Sequence, residues 1–435
     1  MSRLHLTRFG LVVVATGTLL YVASLWSPRH LETPFDLYAA LVVILIFLEW
    51  RHDRIFAPSC QFELPAAVAL GQGHAVRCFV SNPSSARRRF EWRWIEGPHL
   101  ALDDSPQPGM LVPDQGSTVR NQVTGLALGA QRTGDLHLRV RGPFGLIDWE
   151  RRFAPQKDID VIPGRLHDRT DVPADHERGD REGDAAGHGQ EFHSLREYER
   201  GDPPRAIDWK ATARSGRRMI RRFTDEQQLN MFLLIDVSFP GAFDAGGLSR
   251  IARFVNAAAR LAELAALRRD TVGLLCYGHE PGTLLRAGAS VPHLAQIRDL
   301  LAAQRVLPEQ PNHVAAFLAA QRHIGQHSLL IFMTHLDQED QDGQLIRAVR
   351  EARGRHLPLV ASLRDPVVAA LARNQADEWL DPYTRVASQQ QQLQTDRNVL
   401  KLRRLGASVL HTDAGAFETA LLHTYRQIRQ RHRIS

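Results

Sequence analysis

The chain has 435 residues and a net charge of +6, with 43% hydrophobic and 23% charged residues. That is ordinary globular composition, which excludes wholesale disorder and allows two or three folding units. Lysine occurs only at Lys157, Lys210 and Lys401, so arginine carries the positive charge, while Cys60, Cys78 and Cys276 form no CxxC pair and argue for a reducing compartment.

Residues 1–53 differ in kind from the rest. Phe9 to Trp26 is uncharged, and Phe35 to Trp50 is apolar with Asp36 and Glu49 near its ends. These segments predict a transmembrane helical hairpin with spans at about 9–26 and 35–50, anchored by interfacial Tyr and Trp. Arg3 and Arg8 precede the first span and Arg51 and Arg54 follow the second. The expected location is therefore the cell inner membrane, with the lipid bilayer as a partner and both termini and the soluble domains cytoplasmic.

Residues 54–165 read as a β-rich, sandwich-like domain. "HAVRCFVSN", "RRFEWRWI", "STVRNQVTGLAL" and "DLHLRVRG" are short segments, several of them alternating, punctuated by Gly, Pro, Asn and Asp. Residues 166–192 are rich in charge and glycine and read as a flexible connector. His167, His176 and His188 fall in it without metal-ligand spacing.

From 193 to 435 strands and helices alternate. "MFLLIDVS", "TVGLLCYG", "SLLIFMTHL", "LPLVASL" and "SVLHTD" are strands, and 249–269 is a helix with Ile251, Phe254, Val255, Ala258, Leu261, Ala262 and Ala265 on one face. The pattern predicts an α/β fold built on a doubly wound, mostly parallel sheet.

In such sheets ligands bind beyond the carboxyl ends of the strands. The first strand ends in Asp236-Val237-Ser238-Phe239-Pro240, which presents a carboxylate and a hydroxyl on one side of the chain. Asp-x-Ser there resembles the start of a metal-ion-dependent adhesion site of von Willebrand factor A domains. The second serine is replaced by Pro240, Asn312 and His313 stand where a threonine is wanted, and the fourth strand ends Thr334-His335-Leu336-Asp337. Asp236 and Ser238 are thus candidate ligands of a degenerate Mg²⁺ or Mn²⁺ site.

No GxxxxGK[ST], GxSxG or HExxH motif is present, and no GxGxxG follows a strand. Neither catalytic residues nor an enzyme is therefore expected. Arg214, Arg217, Arg218, Arg221 and Arg222 cluster, but Glu197, Glu199, Asp202, Asp208, Asp225 and Glu226 flank them. Mixed signs suit ion pairing or a protein partner better than a polyanion, so no nucleic acid is expected.

Residues 194–223, "SLREYERGDPPRAIDWKATARSGRRMIRRF", hold the densest motif. Arg196, Glu197, Tyr198, Gly201, Asp202, Pro204, Arg205, Ile207, Trp209, Ala213 and Arg214 match, in register, the signature of the bacterial family catalogued as domain of unknown function 58, with Pro203 in place of an aspartate. "RTGDLHLRVRGPFGLIDWERRF", "LRDPVVAALA" and "LRRLGASVLHTD" also resemble family segments. The resemblance implies two N-terminal spans, a β-rich part and a von Willebrand A-like domain. It also implies a membrane-anchored, non-enzymatic scaffold or adaptor that binds protein and works with a MoxR-type AAA+ ATPase, and with other membrane or periplasm-linked proteins, in complex assembly or maturation. The alternatives are a cation-dependent protein-binding module acting without an ATPase, and a hydrolase or nuclease. In the signature, Arg196, Arg205 and Arg214 offer forked bonds to carboxylates such as Glu197, Asp202 and Asp208, and Tyr198 and Trp209 add rigid bulk. Either a structural collar or a partner surface would use such a set.

Overall fold

The structure is a computed structural model that describes the chain apart from residues 1–2, 25–31, 56–57, 84–86, 114, 156, 165–190, 200–206, 225–227, 326, 337–342, 374–378 and 433–435, with backbone alone at 3–4, 23–24, 32–36, 52–55, 191–196 and 221–224. It divides into two compact units, Met1–Ile162 and Pro163–Ser435. The expected connector at 166–192 lies almost wholly outside the described residues.

The first unit begins with Arg3–Leu6 (β1), Arg8–Ser24 (α1) and Glu32–Ile55 (α2). Eleven strands follow: Cys60–Glu63 (β2), Ala67–Ala69 (β3), Gly73–Val80 (β4), Arg88–Trp94 (β5), Leu100–Leu102 (β6), Gln107–Leu111 (β7), Ser117–Gly125 (β8), Gly129–Gln131 (β9), Leu136–Arg141 (β10), Ile147–Phe153 (β11) and Ile159–Ile162 (β12). They form sheets of order β1-β11-β10-β5-β7, β2-β4-β8-β6 and β3-β12-β9. Among the described strands of this unit the pairings are antiparallel except β3 with β12, beside which a single bridge, Leu70 to Gly125, is also parallel. Alternation sets the inward face: Phe90, Trp92 and Trp94 of β5 are buried while Arg89, Glu91 and Arg93 face out. The Phe62 ring of β2 lies 5.5 Å from Trp94, joining two of the sheets.

This architecture corrects the membrane reading. No helix among the described residues is long and apolar enough to cross a membrane. Helix α1 has 17 residues, short of the ~20 apolar residues that a span requires. Helix α2 has 24, but its sequence takes in Glu32, Asp36, Glu49, Arg51, Asp53 and Arg54. The two helices pack on each other, with Tyr38 Oη donating to Val13 O at 2.7 Å.

They are also tied to the β sheet. β1 pairs with β11, and Thr7 N donates to Leu146 O at 3.0 Å. Glu49 is fully buried and accepts from Phe144 N, Gly145 N and Ile147 N at 3.0, 3.0 and 3.1 Å. A carboxylate that caps a turn nearly a hundred positions away faces protein rather than lipid. The transmembrane hairpin and the two-span inner-membrane location are therefore withdrawn.

The second unit opens with the hairpin Glu191–Glu197 (β13) and Met219–Thr224 (β14), with Trp209–Ser215 (α3) between them. The remaining strands are Asn230–Asp236 (β15), Thr271–Tyr277 (β16), Pro281–Gly288 (β17), Leu329–Met333 (β18), Leu357–Leu363 (β19) and Ser408–Thr412 (β20). The helices are Arg250–Leu267 (α4), Val291–Ala302 (α5), His313–Gln321 (α6), Gln344–Arg353 (α7), Pro366–Leu371 (α8), Asp381–Arg404 (α9) and Ala414–His432 (α10). The six strands make a mixed sheet of order β17-β16-β15-β18-β19-β20, in which β17 alone runs antiparallel to its neighbour.

The strands of this sheet are continuous apolar runs because both faces are covered. Phe232, Leu234, Leu330, Phe332 and Val360 pack with Phe317 of α6, Val349 of α7 and Leu402 of α9. Helix α4 buries Ile251, Phe254, Val255, Ala258, Leu261, Ala262 and Ala265, and Phe254 meets Phe417 of α10 at 5.5 Å. Order runs outward from β15 in both directions, so the β15–β18 boundary is the point where the connections reverse.

Candidate functional site

The carboxyl ends of β15 and β18 bring together Asp236, Ser238 and Thr334, all fully buried. Ser238 places both its backbone N (2.9 Å) and its hydroxyl (2.5 Å) on Asp236 Oδ1. Thr334 Oγ1 donates to Oδ2 at 2.7 Å. Both carboxylate oxygens are thus occupied by neighbouring donors, which is what a buried charge needs to be tolerated.

Tyr277, at the end of β16, lies beside them. Burial and the charge of Asp236 push its phenol well above the ordinary value, against a smaller opposing effect from a bond with Thr334. The hydroxyl therefore stays protonated, 2.9 Å from His313 Nδ1. His313 opens α6, whose N-cap is Asn312, with Oδ1 accepting from Ala315 N at 3.0 Å. Asn312 is thus occupied as a helix cap.

His335, which follows Thr334 past the end of β18, brings in a second cluster. Arg250, in the first turn of α4, is fully buried. Its Nη2 donates to Asp365 Oδ2 at 2.6 Å, and its Nη1 lies 3.4 Å from His335 Nδ1. Asp365 works twice, because its Oδ1 also caps α8 by accepting from Val367 N and Val368 N at 2.8 and 3.2 Å.

Among the described residues the strand ends offer a Mg²⁺ or Mn²⁺ one carboxylate, Asp236, and two hydroxyls, Ser238 and Thr334; Asp337 lies outside the described residues. Such ions take about six oxygen ligands, typically one or two carboxylates completed by waters. Here one carboxylate and two hydroxyls satisfy one another, Pro240 stands where a second serine was wanted, and His335 with Arg250 brings imidazole and fixed positive charge nearby. Among the described residues no group of three His, Cys, Asp or Glu side chains is placed to hold a metal.

The groups that face outward here are apolar. After Ser238 the chain turns through a 3₁₀ segment, Phe239–Ala242, and Phe239 and Phe243 are each more than two-fifths exposed, edge to face at 5.4 Å.

The signature stretch is built on β13, α3 and β14. Arg196 and Glu197 pair with Ile220 and Met219. Tyr198 N donates to Arg218 O at 2.7 Å, and Asp208 N to Met219 O at 2.8 Å. Asp208 caps α3, with Oδ1 accepting from Lys210 N and Ala211 N at 2.9 and 3.0 Å. Gly216, at φ 70°, closes that helix in the left-handed conformation. Glu197 pairs with Arg217 at 3.5 Å on the surface. Trp209 is 69% exposed and Arg214 is exposed, whereas Tyr198 is half-buried. The Arg196 side chain, Gly201, Asp202 and Arg205 lie outside the described residues.

The structure therefore joins Asp236 to Ser238 and Thr334, with Tyr277 beside them, and sets Arg250, Asp365 and His335 in a second cluster. Thr334 and His313 were visible as strand-end and loop residues. Arg250, an arginine entering an otherwise apolar helix face, was the signal that went unread.

Together these features describe a mixed α/β domain whose strand-end polar groups close on one another behind an apolar rim. Residues 194–408 match the family model described as "Protein of unknown function DUF58", which supports placing this segment in that family. No match was found among curated proteins. Among solved structures, the chain is similar to the conserved hypothetical protein BatB from Bacteroides thetaiotaomicron, at 13% identity over 46% of this chain and 99% of that one, with a TM-score of 0.32. A likeness at that level carries no argument.

Proposed function

We propose that the chain is a non-enzymatic scaffold or adaptor that binds protein through the carboxyl-end rim of its α/β domain and works with a MoxR-type AAA+ ATPase. The observation that carries this reading is the division of labour at the end of β15. Asp236, Ser238 and Thr334 turn inward and satisfy one another, while Phe239 and Phe243 face outward. Exposed aromatic side chains with a polar surround favour protein contact. The match of residues 194–408 to the DUF58 family is compatible with such a role, and the ATPase enters through the family resemblance of the signature.

The test is crosslinking and co-purification of the full chain from cells, comparing wild type with Phe239→Ser and Arg205→Ala. Recovery of an AAA+ ATPase by wild type, reduced at least tenfold by Phe239→Ser at equal expression, is the expected result. If wild type recovers no ATPase, or if both variants recover it as well as wild type does, the reading is wrong.

A further inference from the structure

Helix α9 is built the wrong way round for a surface helix. Its buried residues are Ser388, Thr395, Asn398, Val399 and Leu402, three of them polar. Thr395 Oγ1 turns back to Gln391 O at 3.0 Å, and Asn398 Nδ2 reaches Leu336 O at 3.4 Å. On the opposite side, Tyr383, Val386, Leu393 and Leu400 are each half exposed or more, and so is Trp379 just before the helix.

The spacing makes a surface of them. Val386, Leu393 and Leu400 are seven residues apart, as are the inward Ser388, Thr395 and Leu402. Two positions advance the helix by about 200°, so the two rows lie on opposite faces. Singly exposed apolar residues need no explanation. Val386, Leu393 and Leu400 form a row some 21 Å long at 1.5 Å per residue, which is one of the two apolar rows of a helix–helix seam, the companion position holding Gln389, Asp396 and Arg403.

The charges choose the occupant. Arg397, Lys401 and Arg404 share the outward face, and none forms an ion pair among the described residues. Of the two carboxylates of the helix, Asp396 is exposed and flanks the row between Leu393 and Leu400, while Asp381 lies behind it. A second copy would therefore bring three cations and one carboxylate to this face, a net repulsion, whereas an acidic helix would meet all three cations.

We infer that the outward face of α9 docks an acidic amphipathic helix of a partner protein, with apolar residues at heptad spacing along the Val386–Leu393–Leu400 row and Glu or Asp flanking it to meet Arg397, Lys401 and Arg404. This rests on the reading of the chain as a protein-binding scaffold and gives it a second contact surface with a stated chemistry.

The test uses the full chain and two synthetic four-heptad helices with Leu in the seam, one flanked by Glu and the other by Lys. Peptide anisotropy is read against wild type and the surface double variant Val386→Ser/Leu393→Ser, whose far-UV spectrum serves as the folding control. The Glu peptide is expected to bind, at least tenfold more weakly to the variant and more weakly at 500 mM than at 50 mM salt, while the Lys peptide does not bind. Failure of the Glu peptide to bind, equal binding of the two peptides, or equal binding by the variant overturns the inference. A wild-type dimer that dissociates in the double variant overturns it in favour of a second copy. If the peptide fails while wild type still recovers its crosslinked ATPase, the α9 surface is wrong and the scaffold reading stands.

Discussion

Asp236 and Thr334 sit 98 positions apart, yet the threonine hydroxyl donates to the aspartate's Oδ2 at 2.7 Å with both residues fully buried. This bond holds the end of β15 to the end of β18 at the point where the sheet's connections reverse. Thr334→Val keeps the shape and removes the donor, leaving a buried carboxylate short of a partner. The expected cost is about 1–3 kcal/mol in urea unfolding. A cost below about 0.5 kcal/mol, the range of neutral surface changes, would mean that the bond does not hold the strands.

Arg250 and Asp365 make the more demanding pair, because the arginine side chain is only 1% exposed and the aspartate 19%. Removing one partner takes this ion pair from the other, buried charge. Asp365→Asn and Arg250→Met are each expected to cost about 3–5 kcal/mol. The double variant should cost clearly less than their sum, since the charge that lost its ion pair is gone. Additive costs in the double-mutant cycle would show that the two groups act independently.

The N-terminal strand is expected to loosen in acid. Glu150 accepts from His137 Nδ1 at 2.8 Å and His5 Nε2 at 2.9 Å, and these bonds, His137's first, hold its carboxyl below the ordinary 4.5. A depressed carboxyl contributes stability that is present above the unfolded value and is lost as pH falls through the lower folded one. Wild type should therefore lose more stability than Glu150→Gln between pH 5.5 and about 3, read as urea midpoints. Parallel acid limbs for the two proteins would contradict this.

In the signature, Asp208 and Trp209 are expected to separate structure from recognition. Asp208→Ala removes the cap of α3 and should cost about 1 kcal/mol. Trp209→Ser, at an exposed position, should change stability by no more than about 0.5 kcal/mol while weakening partner recovery. Equal destabilisation by both would assign Trp209 to a structural collar.

The α/β unit was largely legible because its information is local. The run Met231 to Ile235 is apolar without a break, and Asp236-x-Ser238 ends it. The N-terminal segment misled because hydropathy weighs apolar length and ignores tethers. Glu49 reads as a charge at the end of a span until its bonds to Phe144, Gly145 and Ile147 are seen. Asp208 read as a carboxylate in a charge cluster and is a helix cap. Arg250–Asp365, 115 positions apart, could not be paired from one sequence. The outward apolar row of α9 was equally hidden, because the sequence does not say which of two opposed heptad rows faces the core.

The most direct measurement places a photo-crosslinking amino acid at position 239 of the full chain in cells, with position 267, another exposed apolar site, as the control. The account expects a discrete protein adduct at 239 that is absent at 267 and contains an AAA+ ATPase. Adducts at 239 no different from those at 267 would contradict the claim that the aromatic rim beside Asp236 is a protein-binding surface.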